Sequence, residues 1–144
     1  MADLLERVVV PVANEEDAVA TAHAIEASGQ DVGAITLVHV VEKAGGAIDK
    51  AGVEQRELEA EEAFDAFEAA IGRDVDTDIT YGEEVDDDIF AVADEIDATS
   101  IVITPRGGSR WIRLLTGDVA LSLVTESDRP VVVRPDGEEA VEDE

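Results

Sequence analysis

The sequence predicts an α/β fold, an open parallel sheet of five strands with helices on both faces. Three observations predict it. Short apolar, β-branched runs recur along the chain, and segments with helical periodicity separate them, in strict alternation. The second run, Ala34 to Val41 ("AITLVHVV"), is apolar on both faces, as a central strand covered on each side must be. At 144 residues and 45% apolar content, the chain has the length of one domain and enough apolar material for a sizeable core.

Taken in order, Arg7 to Val12 ("RVVVPV") reads as the first strand. Asn14 is a helix N-cap followed by Glu15, Glu16 and Asp17, acids that suit the positive end of a helix dipole. Ala18, Ala22, Ile25 and Gly29 then follow at spacings of 4, 3 and 4, one face of an amphipathic helix. Ala34 to Val41 is the second strand, and Glu42 to Lys50 reads as a glycine-bearing, mobile connection. A long acidic helix is expected from Gly52 to Ile71, with Ala60, Phe64, Phe67 and Ile71 on one face and Gly72 as its C-cap. Thr77 to Tyr81 is a short third strand. Val85, Ile89, Val92 and Ile96 mark a third helix at spacings of 4, 3 and 4. Ser100 to Thr104 is a strand, Leu114 to Thr125 a mostly buried helix, and Pro130 to Arg134 the last strand. One domain over 1–135 and a frayed acidic tail over 136–144 complete the expected organisation.

Charge limits the function classes. Thirty-six Asp and Glu face ten Lys and Arg, a net charge of −26. Such a surface repels nucleic acid and anionic membranes, so neither is an expected partner. The acids are spread over nearly every segment and only two of the basic residues are Lys, with aromatics at 3%. That pattern fits a cytoplasm at very high salt, as in a halophilic archaeon, better than a dedicated acidic interface. Without cysteine there is no disulfide framework, thiol nucleophile or Cys-based zinc site. No apolar run approaches the roughly 20 residues of a membrane span. Met1 to Val12 carries Asp3 and Glu6 and does not read as a signal peptide. A cytoplasmic protein is expected.

In open parallel sheets, ligands sit beyond the carboxyl ends of strands where the strand order reverses. If strands one and four flank that point, the segments that matter are Pro11, Val12, Ala13 and Asn14, and the stretch "TPRGGSRWIRLLTGD" from Thr104 to Asp118. At these two segments the chain resembles the universal stress protein family, whose domains open on a strand ending V-P-x-D and carry G-x2-G-x9-G-[ST] after the fourth strand in members that bind ATP. Nine residues separate Gly107 from Gly117, as between the second and third glycines of that motif. "LVHVV" (Leu37 to Val41) and "RPVVVRP" (Arg129 to Pro135) look like the family's second and last strands, and the resemblance spans about 7–135. It implies the strand order 3-2-1-4-5, a homodimer paired through Val131, Val132, Val133 and Arg134, and a nucleotide crevice. The candidate crevice residues are Pro11, Val12, Ala13, Asn14, Val40, Ile103, Thr104, Arg106, Gly107, Gly108, Ser109, Arg110, Gly117, Asp118 and Val119.

The chain departs from the ATP motif at three positions. Thr104 stands at the first glycine and adds a Cβ where backbone would approach ligand. Ala13 stands at the family's acidic residue and forfeits a hydrogen bond of about 1 kcal/mol. Asp118 replaces the final hydroxyl, and a carboxylate ~4 Å from a phosphate oxygen costs on the order of 4 kcal/mol at an effective dielectric near 20. Asp118 could instead cap the following helix and fill the anion site itself. Arg106, Arg110 and Arg113 have two readings. They balance nearby carboxylates, or they keep a positive potential for phosphate, with Gly107, Gly108 and Ser109 supplying donors. The expected function is therefore a dimeric stress-response regulator or adaptor with weak or no ATP binding. The alternative is a switch that binds ATP or AMP through the arginine-lined loop.

Other candidates point to bland roles. His39, in mid-strand among apolar residues, reads as a satisfied buried imidazole rather than a catalyst, and His23 lies off the apolar face. "EEVDDD" (Glu83 to Asp88) reads as an acidic first helical turn more than as a cation site. Trp111 is the only Trp and fits a lid, a contact or packing equally. No Ser, His and Asp set has a nucleophile's spacing, so no enzyme and no metal site are expected.

Overall fold

Val8, Val9 and Val10 are three successive residues with no exposed surface. Side chains alternate between the two faces of a strand, so both faces of this one are covered. Val8, Val10 and Val12 join one apolar cluster with Ala18, Ala22, Phe64 and Phe67, while Val9 joins another with Val38, Ile89, Val92 and Ile101. In this computed structural model the structure describes residues 4–12, 14–27, 29, 31–42, 50–82, 85–103 and 125–133. Among them the elements run β1 (Arg7–Pro11), α1 (Glu15–Ala27), β2 (Ala34–Glu42), α2 (Lys50–Ile71), β3 (Asp76–Gly82), α3 (Val85–Ile96), β4 (Ser100–Ile103) and β5 (Val131–Val133). The sheet order is β3-β2-β1-β4-β5 and every pairing is parallel. Helices α1 and α2 cover one face and α3 packs on the other. The expected fold class and strand order are both observed.

Several element ends differ from the sequence expectation. Helix α1 stops at Ala27, and Gly29 lies beyond it at φ +68, so Gly29 is not part of the helix face. A glycine at positive φ breaks the helical geometry that the 4-3-4 spacing assumed. Glu42 belongs to β2 and Lys50 to α2, which takes both from the expected connection. Strand β3 is two residues longer than expected, Asp76–Gly82, because its ladder with β2 continues from Thr36↔Asp76 to Glu42↔Gly82. The helix expected over 114–125 lies outside the described residues except for Thr125, which with Glu126 is helical. The tail over 136–144 and Arg134 also lie outside them.

The caps explain where the helices start and stop. The Asn14 carbonyl accepts the first helical bond, from Ala18 N at 3.0 Å, which makes Asn14 the N-cap of α1. Gly72, at φ +74, closes α2 and donates to Glu68 O at 2.9 Å. Helix α3 ends on Asp97 at φ +57, with Asp97 N on Asp94 O and Ala98 N on Ala93 O at 3.2 and 2.9 Å. That pair of bonds is a Schellman cap, here with Asp in place of the usual glycine.

The amino ends of the strands are laced together by arginine. Arg7 Nη1 donates to Asp97 O at 3.1 Å, Arg73 Nη1 to Val32 O at 2.8 Å, and Arg129 Nε to Ala98 O at 2.8 Å. Thr99 Oγ1 and Ser100 Oγ each donate to Leu4 O at 2.8 Å. At the same end, a Cβ on Gly33 would sit 2.1 Å from the Glu6 carbonyl oxygen, so only glycine lets β1 and β2 start side by side. These bonds tie down the amino end of the sheet.

Candidate functional site

Strand order reverses between β1 and β4, and the backbone hydrogen bonds show how β1 is held on its two sides. Successive residues of a strand turn their N–H and C=O groups to opposite neighbours. Glu6 O accepts from Ala34 N at 2.9 Å and Val12 N donates to Val38 O at 2.9 Å, so the even-numbered residues of β1 bond to β2. Thr99 N donates to Arg7 O at 2.7 Å, so the odd-numbered residues face β4. Pro11 is odd and has no N–H, so it has nothing to donate toward β4. The ladders agree: pairing with β2 runs on to Pro11↔Val38, while pairing with β4 is recorded at Val8↔Ser100 and Val9↔Ile101. One proline at the end of a central strand therefore removes a donor toward β4 at the carboxyl end of β1.

Val12 is buried and is held to β2 at both of its polar groups. Its N–H donates to Val38 O, and its carbonyl lies 3.0 Å from Nδ1 of His39. A carbonyl can only accept, so Nδ1 carries the proton of this bond. His39 is only 7% exposed and, as the sequence implied, is a satisfied core imidazole. Sequence reading gave it no part in the site because its partner, a backbone carbonyl 27 residues away, has no sequence signal. Asn14 follows at the start of α1, whose amino end turns toward the carboxyl end of the sheet.

On the α3 face, Val40 is half-buried between more deeply buried strand residues and pairs with Thr80 of β3. Among the described residues, the Thr80 Oγ1 atom is buried without a hydrogen-bond partner. Ile103 is buried at the end of β4. The structure thus brings Pro11, Val12, Asn14, Val40 and Ile103 to the carboxyl end of the sheet. Ala13, Thr104, Arg106, Gly107, Gly108, Ser109, Arg110, Gly117, Asp118 and Val119 lie outside the described residues, as do Trp111 and Arg113. Of the expected dimer residues, Val131, Val132 and Val133 form β5, which is an edge of the sheet.

The remaining candidates are placed as follows. His23 is exposed on α1. Glu83 and Glu84 lie outside the described residues, and the Asp88 carboxylate packs so closely on Gly82 that a Cβ there would come 2.2 Å from Oδ2. Among the described residues, no three His, Asp or Glu side chains cluster as a metal site, and no helix is long and apolar enough to cross a membrane. Tyr81, on the outer strand β3, donates its hydroxyl to the Glu57 carboxylate of α2. That hydrogen bond, then burial and the Glu57 charge, raises the Tyr81 pKa above its ordinary value.

Comparison with known proteins places the arrangement. The Universal stress protein family model matches residues 5–135. A universal stress protein from Archaeoglobus fulgidus, solved in complex with dAMP, is 25% identical, with a TM-score of 0.65 over 92% of this chain and 99% of that one. A universal stress protein in complex with cAMP is 20% identical, with a TM-score of 0.59 over 88% and 94%. UspA from Lactobacillus plantarum is 20% identical, with a TM-score of 0.61 over 90% and 97%. No curated protein sequence matches the chain at a significant level. With the family model covering both the first strand and the last, the chain belongs to the universal stress protein family.

Proposed function

We propose that this protein is a dimeric, non-enzymatic regulatory domain of the stress response, cytoplasmic, whose crevice holds ATP weakly or not at all. The observation that carries the reading is the reversal of strand order at β1, with β2 on one side and β4 on the other, which puts the switch point of the sheet at the carboxyl ends of β1 and β4. The sequence then decides how well a triphosphate is held. Thr104, Ala13 and Asp118 each remove or oppose a contact that the family motif provides, and Asp118 opposes the phosphates by charge. Magnesium ATP titrated into the protein at molar KCl is expected to leave the melting temperature unchanged. Asp118→Ser is expected to bring a measurable ATP-dependent rise. A rise of several degrees in the unaltered protein, abolished by Gly107→Trp, overturns the reading.

A second reading, a nucleotide-binding switch, is favoured by the dAMP held by the Archaeoglobus relative. A monophosphate presents less charge to Asp118 than ATP does, and Arg106, Arg110 and Arg113 supply cations near that position. Tighter binding of AMP than of ATP in the same titration supports the switch.

A further inference from the structure

We propose that Arg129 is a positioning residue of the self-association edge. By bridging the carboxyl end of α3 to the start of β5, it sets the register of β5 and so the backbone groups that β5 offers to a second copy. That consequence rests on the dimer reading; the register itself rests on the hydrogen bonds alone.

Strand β5 needs such a pin because its own sequence is degenerate. Val131, Val132 and Val133 are identical, so a slip by one residue lays valine on valine and side-chain identity does not oppose it. The slip nonetheless turns every side chain to the opposite face. In the observed register Val131 packs on the α3 side of the sheet and Val132 on the α1–α2 side. The backbone carries the same choice. Pro130 O accepts from Ile101 N at 2.9 Å, so the even-numbered residues of β5 turn their polar groups to β4. Val131 and Val133 therefore present N–H and C=O to the outer edge, which is unpaired within the described part of the sheet. From Arg129 to Pro135 the chain carries no acid, so two copies, each of net charge −26, meet no carboxylate in that segment.

Arg129 supplies the missing specification from outside the strand. The ladder pairs Ile101 with Val131, which carried back two residues puts Arg129 opposite Thr99. Its Nε donates to Ala98 O at 2.8 Å and its Nη1 to Asp94 Oδ1 at 2.8 Å. Ala98 is a fixed reference, since its N–H closes the helix cap on Ala93 O at 2.9 Å and the next amide, Thr99 N, bonds Arg7 O at 2.7 Å. The Arg129 backbone is held as well. One hydroxyl, Ser127 Oγ, accepts from its N–H at 3.1 Å and donates to its carbonyl at 2.6 Å. The Arg129 side chain is 17% exposed and that of Asp94 67%, so the carbonyl bond is the sheltered half of the fork and the ion pair the solvated half. A β5 shifted by one residue would carry the guanidinium about 3.3 Å from both acceptors unless the side chain left this conformation.

Two substitutions separate register from charge. Arg129→Met keeps an apolar stem and removes every side-chain donor, whereas Asp94→Asn removes the ion pair and leaves the bond to the Ala98 carbonyl. In sedimentation at molar KCl, Arg129→Met is expected to weaken the dimer by roughly tenfold, since a hydrogen bond from a charged group is lost. Asp94→Asn is expected to associate within about threefold of the unaltered protein, because an exposed pair is worth little at that salt. In NMR, the contacts between Ile101 and Val131 that report the register are expected to weaken in Arg129→Met alone, with the amides of α2 keeping their exchange rates. A dimer as tight in Arg129→Met as in the unaltered protein, or register contacts unchanged there, overturns the proposal. So does a loss of protection in α2 as large as that in β5, which would make Arg129 a support of the whole fold. If Asp94→Asn weakens the dimer as much as Arg129→Met, the ion pair governs the edge and the proposal falls. If the unaltered protein runs as a monomer at every concentration, the dimer reading fails by itself, and the contacts between Ile101 and Val131 alone decide for or against Arg129.

Discussion

Tyr81 is the chain's only tyrosine, so its ionisation can be followed without overlap. Its hydroxyl donates to Glu57, and ionisation would set two negative oxygens against each other, so the neutral form is favoured in the folded protein. The sign of the linkage follows. A raised acid pKa contributes stability below the ordinary value near 10, and that contribution is lost as pH rises through the folded value. The side chain is 42% exposed, so the energy involved is small, but the midpoint is readable. Ultraviolet titration is expected to place it above that of free tyrosine, and Glu57→Gln is expected to lower it. At this scale the sequence is least legible. The alternation of "LVHVV" put His39 in the core, but the carbonyl it bonds is set by tertiary register. Asp97 as a helix stop was equally hidden, because Asp enters the left-handed region far less often than glycine and nothing in the local pattern marks it. The carbonyl of Asp97 accepts from Arg7 Nη1, a contact between residues 90 apart that no local pattern reveals.

The helices were more legible than their ends. Apolar residues at helical spacing identified the buried faces of α2 and α3, and Phe67, Phe64, Ile71, Ile89 and Val92 are all buried. Phe67 has no exposed surface and sits in the cluster shared by α1, α2 and β1. Phe67→Ala is therefore expected to cost about 3–5 kcal/mol in denaturant unfolding at high salt. A loss below about 1 kcal/mol would mean that the cluster refills the space. Gly29 shows why the ends were harder. Periodicity counted it onto the face of α1, but spacing does not report the sign of φ. The β3 boundary has the same origin, since Asp76 and Gly82 look like turn residues and become strand only by pairing with β2.

For the whole molecule, the open question is what covers β5. Val131 and Val132 are half-buried in a three-residue strand whose outer edge is unpaired within the described part of the sheet. An apolar edge of this kind invites pairing with another copy. In sizing at molar KCl the protein is expected to run as a dimer and Val132→Asp as a monomer; a dimer retained by that variant would place the interface elsewhere. The net charge of −26 makes the salt part of the test, since repulsion between copies is screened to about 3 Å only near molar concentration. The sequence by itself determined the class of fold, the order of its elements, the family and the identity of the changed motif positions. These rest on local periodicity and on residue identities, which need no third dimension. Tertiary structure alone decided that the recorded ladder between β1 and β4 stops at Val9↔Ile101 and that His39 meets the Val12 carbonyl, and it decided where α3 and β3 stop. Each of these depends on which backbone group meets which neighbour across the sheet, and register between distant segments sets that geometry.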